Sequence, residues 1–247
     1  MEVSEKCIVL LSGGIDSAVM LAMARDMGYR RVYALSFDYG QRHRGELSCA
    51  MAQGVHQKVQ EHRVISLDLA RIGGSALTDF SRDIPKDRHR EGFNWEIPVT
   101  YVPSRNTIFL SFALAWAEVM GVDDIFIGAN SLDYAGYPDC RPEFFRAFEK
   151  MANCSTAKAV EGQRHFRIRA PLLTMSKEEI IRKGISLGVD FSRTFSCYDP
   201  DHRGRACGHC DACKLRLEGF SRAGHRDPVA YVDPELDAIL SHDSIDG

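Results

Sequence analysis

The sequence of 247 residues contains no uncharged apolar run near the roughly 20 residues that a membrane-spanning helix needs. Its opening, MEVSEK, has no basic flank leading into a signal-type apolar stretch, so a cytoplasmic protein that engages no membrane is expected. There is no internal repeat and no low-complexity tract. Nor is there an excess of one charge: 31 Lys and Arg against 34 Asp and Glu leave a formal net charge of −3, which provides no general attraction to nucleic acid. The stretch from Arg141 to Arg169 is locally basic, with seven Lys or Arg against three Glu.

A further absence concerns the glycine-rich stretch CIVLLSGGIDSAVMLAMAR at residues 7–25. It has neither the GxxxxGK[ST] of a Walker A loop nor the GxGxxG of a dinucleotide fold. With no Lys following the glycines, the loop itself offers nothing to a departing γ-phosphate. What is present is a short apolar run from Cys7 to Leu11, suited to a strand covered on both faces, then Gly13-Gly14, then a helical pattern from Ser17 to Met27. Such a turn aims successive backbone N–H groups and the positive end of a helix at one point, where an anion binds. Ser12 and Ser17 add hydroxyls, and Asp16 inside an anion site favours a metal-bridged polyphosphate.

Strand and helix alternate beyond this loop. Strands are expected at Arg31–Phe37, Arg63–Leu69, residues 123–130 and near residues 166–173. Helices are expected over residues 45–62, over Asn106–Met120 and from about Pro142 to Met151, with one more opened by the capping pattern Ser176-x-x-Glu179. Asn106–Met120 is apolar nearly all round and reads as a buried helix. The alternation predicts an α/β fold with a doubly wound, mainly parallel Rossmann-like sheet. Residues 70–100 read as a surface excursion with the composition of a mobile segment, to which no chemistry is assigned. From about Phe195 the character changes, which divides the chain into residues 1–194, a nucleotide-binding and catalytic domain, and residues 195–247, a small metal-bound subdomain with a tail.

That subdomain spaces its thiols C-x9-C-x2-C-x2-C at Cys197, Cys207, Cys210 and Cys213. Four thiolates form a closed tetrahedral zinc shell, while C-x2-C-x2-C with a distant fourth cysteine also suits an iron–sulfur cluster, and unmetallated thiols remain a third possibility. His202 and His209 read as bystanders. A full shell leaves no open position for substrate, so the role is structural.

The string SGGIDS (Ser12 to Ser17) after a buried strand is similar to the signature of the PP-loop ATP pyrophosphatases. With FDYGQRH (37–43), YVPSRN (101–106), DYAGYPDCRPEF (133–144) and CGHCDACKLR (207–216), the chain resembles the 7-cyano-7-deazaguanine synthase family of queuosine precursor biosynthesis. One departure is visible, TFSCY at 194–198 where TWSCY is common, and an aromatic exchange there is expected to matter little. The resemblance implies a PP-loop-type sheet with a four-cysteine structural Zn²⁺ on Cys197, Cys207, Cys210 and Cys213, ATP with Mg²⁺ as cofactors, and a homodimer. It implies conversion of 7-carboxy-7-deazaguanine and ammonia to the nitrile through adenylation of the acid, amide formation, and a second adenylation with dehydration. In that reading Leu11, Ser12, Gly13, Gly14, Ile15, Asp16, Ser17, Ala18, Val19, Met20 and Leu21 bind ATP, with Ser12, Asp16 and Ser17 at the chemistry.

The purine-like substrate suggests Arg141 for the carboxylate, Asp133 or Asp139 for the amine and ring, and Tyr134 and Tyr137 for stacking. Arg105, Arg42 and His43 are candidates for phosphate or nucleotide contacts. Cys140 is a candidate nucleophile or sulfur carrier, although adenylation and ammonia attack need no thiol. Two other functions compete: a tRNA-modifying thiolase or amino-acid ligase, which would need a broad basic face, and a non-catalytic zinc-bound nucleotide sensor.

Overall fold

The computed structural model describes residues 5–42, 45–87, 97–132, 136–233 and 236. Its centre is a five-stranded, all-parallel sheet in the order β3-β2-β1-β4-β5. The strands are β1 (Lys6–Leu10), β2 (Arg31–Asp38), β3 (Glu61–Ser66), β4 (Asp124–Phe126) and β5 (Arg167–Arg169). The longer helices are α1 (Ile15–Asp26), α2 (Gly45–His56), α3 (Arg105–Met120), α4 (Pro142–Ser155), α6 (Lys177–Ser186) and α7 (Asp211–Ala223), with a single turn, α5 (Ala157–Val160), between α4 and β5. No described helix is long and apolar enough to cross a membrane.

The apolar run of β1 has no polar face because helices cover the sheet on both sides. Ile8 and Leu10 point into the layer built with α3 and α4, through Leu110, Trp116, Phe145 and Phe148. Cys7, Val9 and Leu11 point into the opposite layer with Val19 and Met20 of α1, Ile180 and Ile181 of α6 and Phe220 of α7. The period-2 alternation of a strand thus divides one pentapeptide between two cores. Since β1 pairs with β2 on one side and with β4 on the other, the chain leaves the sheet in opposite directions after neighbouring strands, and a crevice opens at their carboxyl ends.

The expected elements are all present, with some adjustments. Helix α2 stops at His56, not at residue 62, because Lys58 takes a left-handed φ of 54° and the N–H groups of Lys58 and Val59 turn back to the carbonyls of Val55 and Gly54. Strand β3 therefore begins two residues earlier than expected, at Glu61. Strand β4 is only three residues long, because the chain must swing past the start of α1: a Cβ on Gly128 would lie 3.1 Å from the backbone of Asp16 and Ser17. Helix α3 is buried on one face only, leaving Ser111, Phe112, Ala115 and Val119 exposed. The excursion after β3 is also anchored. Ser75, Ala76, Leu77, Thr78 and Ile84 are buried, and the Asp87 N–H donates to the His209 carbonyl (3.0 Å).

At the head of β4 the fully buried Asp124 accepts two hydrogen bonds from Arg167 (2.7 and 2.6 Å) and one from Arg169 (2.9 Å), both on the paired strand β5. Burial pushes the Asp124 carboxyl upward, but the two arginines outweigh it and hold the group below the usual carboxylate range. Its folded-state pKa is depressed, so the contribution to stability is present above the unfolded value of about 3.9 and is lost as pH falls through the lower folded value. Asp124→Asn is expected to destabilise the protein by about 2 kcal/mol at pH 7, a cost limited by the partial exposure of both arginines. In thermal melts the gap between the two proteins should shrink as the pH is lowered below about 4.

Candidate active site

A cavity of about 210 Å³ occupies the crevice. Its floor is the turn after β1, its sides are the ends of β2 and β4 with the start of α3, and its roof is the segment around the cysteines. Gly13 fixes this arrangement. Its φ is +89°, and a Cβ there would lie only 2.0 Å from the Glu46 carbonyl oxygen of α2. No other residue satisfies both constraints. The Gly13 carbonyl accepts from the Phe195 N–H (2.9 Å), so the cysteine-bearing segment is tied to the same residue. Within the turn, Ser12 Oγ donates to Ser17 Oγ (3.1 Å), Ser17 Oγ donates to the Gly14 carbonyl (3.0 Å), and the Gly13 N–H donates to Ser17 Oγ (3.2 Å). Gly14 caps α1 without a side chain, leaving that end of the helix open toward the cavity.

The loop does acquire a lysine, from the far end of the chain. Lys177, the residue after the Ser176 cap of α6, places Nζ 2.5 Å from Asp16 Oδ1. Both line the cavity. The sequence expectation holds for the loop alone; in three dimensions an ammonium stands beside it. The capping box that Ser176 and Glu179 make is what aims the first turn of α6 at the loop.

Phe37 and Phe109 stack face to face at 4.0 Å with 4° between planes, and with Tyr39 and Tyr137 they give the cavity an aromatic wall suited to a planar ligand. The Tyr137 hydroxyl lies 2.9 Å from Thr100 Oγ1. Arg42, Arg105 and Arg216 bring three guanidinium groups to the lining. Arg216 is fixed by Asp227, at 2.6 and 2.9 Å, and by Thr194 Oγ1 at 2.9 Å. Arg42 donates to the Asp79 carbonyl (3.2 Å), which ties the excursion to the site. Asp16 and Glu46 are the two carboxylates among the described lining residues, and no histidine is among them. Burial pushes the Glu46 carboxyl up to about 7, opposed by the neighbouring Arg105. Burial likewise pushes the Cys140 thiol up to about 12, against the pull of Arg105.

Of the residues that the sequence singles out, Leu11, Ser12, Gly14, Ile15, Asp16, Ser17, Arg42, Arg105, Tyr137 and Cys140 line the cavity. Ala18, Val19, Met20 and Leu21 are helical and fully buried in the α1 layer, away from the lining. Asp139 is turned the other way: its carboxylate accepts from the Asn106 N–H (3.0 Å) at the start of α3. Arg141 is exposed and outside the lining. His43, Asp133 and Tyr134 lie outside the described residues. Sequence patterning does not single out Lys177, Glu46 or Arg216, which also line the cavity. The only local sign of Lys177 is its place directly after a helix cap.

The thiols of Cys197, Cys207, Cys210 and Cys213 are buried and lie within 4.8 Å of one another, with Cys207 and Cys213 at 3.9 Å. A single tetrahedral ion with bonds of about 2.3 Å separates its sulfurs by roughly 3.8 Å, so the four could hold one metal ion. Backbone N–H groups of Asp199 and Cys207 donate to Cys197 Sγ, and that of Cys210 to Cys207 Sγ, at 3.2–3.3 Å. Such donors stabilise thiolates.

The family model described as "Queuosine biosynthesis protein QueC" matches residues 6–224. The chain belongs to the QueC family. Its QueC relatives include the 7-cyano-7-deazaguanine synthase of Stutzerimonas stutzeri (strain A1501), 60% identical over 227 residues that cover 92% of this chain and 98% of that one. That of Geotalea daltonii is 58% identical over 92% of this chain and 96% of its own. That of Geobacter metallireducens is 55% identical over 97% of this chain and 99% of its own. Within this QueC chain the strings SGGIDS, YVPSRN and CGHCDACKLR lie wholly in described residues, and each contributes to the cavity or the thiol cluster.

Replacing Gly13 by Ala should push α2 off the loop and cost roughly 2–4 kcal/mol, from the strained φ and the clash together. Calorimetric titration with ATP should show binding at least about 100-fold weaker, equivalent to roughly 2.8 kcal/mol.

Proposed function

We propose that this chain is an ATP-dependent ligase that converts 7-carboxy-7-deazaguanine and ammonia to 7-cyano-7-deazaguanine. The observation that carries this reading is an anion-binding turn with Lys177 at one end of a cavity that has stacked aromatic rings on its side. The names of the QueC relatives supply the product, and the acid is the one that the sequence resemblance implies. A carboxylate is a poor electrophile until its oxygen is joined to the α-phosphate of ATP. Pyrophosphate then departs into the Ser12–Ser17 turn, where backbone N–H groups, the α1 terminus and Lys177 meet its charge. Asp16 positions the lysine and would hold a Mg²⁺ ion accompanying ATP, which would neutralise phosphate charge. Ammonia displaces AMP to give the amide; a second ATP activates the amide oxygen, and loss of AMP leaves the nitrile.

Phe37, Phe109 and Tyr137 hold the planar base, and Arg105 and Arg216 offer guanidinium groups to its carboxylate or to phosphate. Asp133 and Tyr134 stay proposed substrate contacts. Ligation of one Zn²⁺ by Cys197, Cys207, Cys210 and Cys213 is supported by a sulfur spread narrow enough for one ion; a cluster of several irons would put each thiolate on a different atom, further apart. When bound, the ion supplies rigidity, not reactivity. Residues 1–194 then carry the nucleotide and residues 195–247 form the zinc-binding subdomain with its tail, the two joined by the Phe195 N–H on the Gly13 carbonyl. A homodimer is supported by the exposed apolar side of α3, where Phe112, Ala115 and Val119 recur at helical spacing. None of the eight cysteines is in a disulfide, which favours the cytoplasm.

The protein, ATP, Mg²⁺, ammonium and 7-carboxy-7-deazaguanine should yield amide and then nitrile by mass spectrometry, with AMP and pyrophosphate in each step. ADP in place of AMP, or retention of an oxygen on the product carbon, would sink the scheme. Cys140→Ala should retain nitrile synthesis in this assay, since a thiol protonated up to about pH 12 is a poor nucleophile; loss of turnover would point to sulfur chemistry. Elemental analysis should find one zinc per chain, and Cys210→Ser should lose both the metal and thermal stability.

A further inference from the structure

The reaction releases protons that some group must accept. When ammonia attacks the activated acid, the nitrogen lone pair forms the C–N bond, the C–O bond to AMP breaks with its electrons going to AMP, and one N–H proton is shed to leave a neutral amide. When the amide oxygen attacks the second ATP, pyrophosphate leaves and nitrogen gives up a second proton. The third goes as the C–O bond breaks, when the N–H electrons complete the carbon–nitrogen triple bond and AMP departs. No oxidant or reductant takes part.

Few of the described lining groups can accept them. Arg42, Arg105 and Arg216 stay protonated. Lys177 is committed to Asp16 at 2.5 Å, and that pair sits where pyrophosphate leaves. Burial pushes the thiol of Cys140 and the hydroxyl of Tyr39 up to about 12, and raises that of Tyr137. Glu46 is different. Its carboxylate makes no hydrogen bond or ion pair among the described residues, yet its backbone is pressed against Gly13, so the side chain enters the cavity beside the phosphate turn. Among the described residues, the groups that face it are Arg105 of α3, Tyr39 after β2 and Cys49 on its own helix.

We propose that Glu46 is the general base of the ammonia-dependent half-reactions, taking the N–H proton as AMP is displaced and again as the amide is dehydrated to the nitrile. This rests on the nitrile-forming reading above. A carboxyl group raised to about 7 by burial is half ionised near neutrality, so it can take a proton from nitrogen and return it to water between steps. No histidine is required.

The test separates acid activation from ammonia attack in Glu46→Gln, which keeps shape and removes ionisation. Acid-dependent exchange of pyrophosphate into ATP, and the KM for the acid, should stay within threefold of the wild type. Trapping of the activated acid by hydroxylamine, a stronger nucleophile, should fall no more than tenfold. Amide and nitrile formation from ammonia should fall about 100-fold or more. In the wild type, single-turnover amide formation at constant free ammonia should rise through about pH 7, and Glu46→Gln should abolish that rise. Glu46→Asp, which restores a carboxylate one methylene shorter, should recover part of the rate and serves if the Gln variant folds poorly. Ammonia-dependent turnover within threefold of the wild type would overturn the proposal. So would exchange falling in step with turnover, or a raised KM for the acid, since Glu46 would then bind nucleotide or purine. A wild-type protein that shows no acid-dependent exchange would instead overturn the nitrile-forming reading itself.

Discussion

Everything in the site depends on one crowded peptide, Gly13. Three segments far apart in the chain converge on it: β1 delivers it, the first turn of α2 packs where its side chain would be, and Phe195 donates to its carbonyl. A left-handed φ turns the backbone so that α1 starts at once beneath the cavity. Close contact at a residue with no side chain transmits position with little slack, because backbone against backbone has no rotamer to give. Glu46 on one side and the thiol cluster on the other inherit their places from that contact.

The sheet supplies the stage for this peptide by a simple division. Alternate residues of β1 serve two different apolar layers, so the strand cannot slip by one residue without exchanging both cores. Neighbouring strands β1 and β4 then send their chains to opposite faces, and a crevice is left open at their carboxyl ends. Asp124 fixes the edge of the same sheet electrostatically where β4 and β5 are too short for backbone pairing to do much.

The charge pattern of the cavity follows from where these elements end. Among the described lining residues, cations come from four places: Arg42 after β2, Arg105 at the head of α3, Lys177 at the head of α6 and Arg216 within α7. Among the described lining residues two carboxylates answer them, Asp16 held by a lysine and Glu46 facing Arg105 without an ion pair. The balance fits the proposed reaction, in which a polyphosphate and an organic acid share a site with one proton acceptor.

Features written in consecutive residues are legible in the amino-acid sequence alone. The β1–turn–α1 unit, the Ser176 cap and the four-cysteine spacing each depend on neighbours within a few positions, so the sequence by itself determined the alternating fold and the metal-capable cluster. The end of α2 was not legible, since a lysine at φ 54° carries no glycine to announce the turn. Nor did an all-apolar α3 reveal which face would stay exposed. The tertiary structure decided who meets whom: Lys177 reaches Asp16 across 161 positions, Asp139 turns to cap α3, and Glu46 faces the cavity because α2 leans on Gly13. Local propensity and spacing act through short stretches of chain, whereas a site at a sheet's switch point is assembled from loop ends whose approach is set by packing, which no short stretch contains.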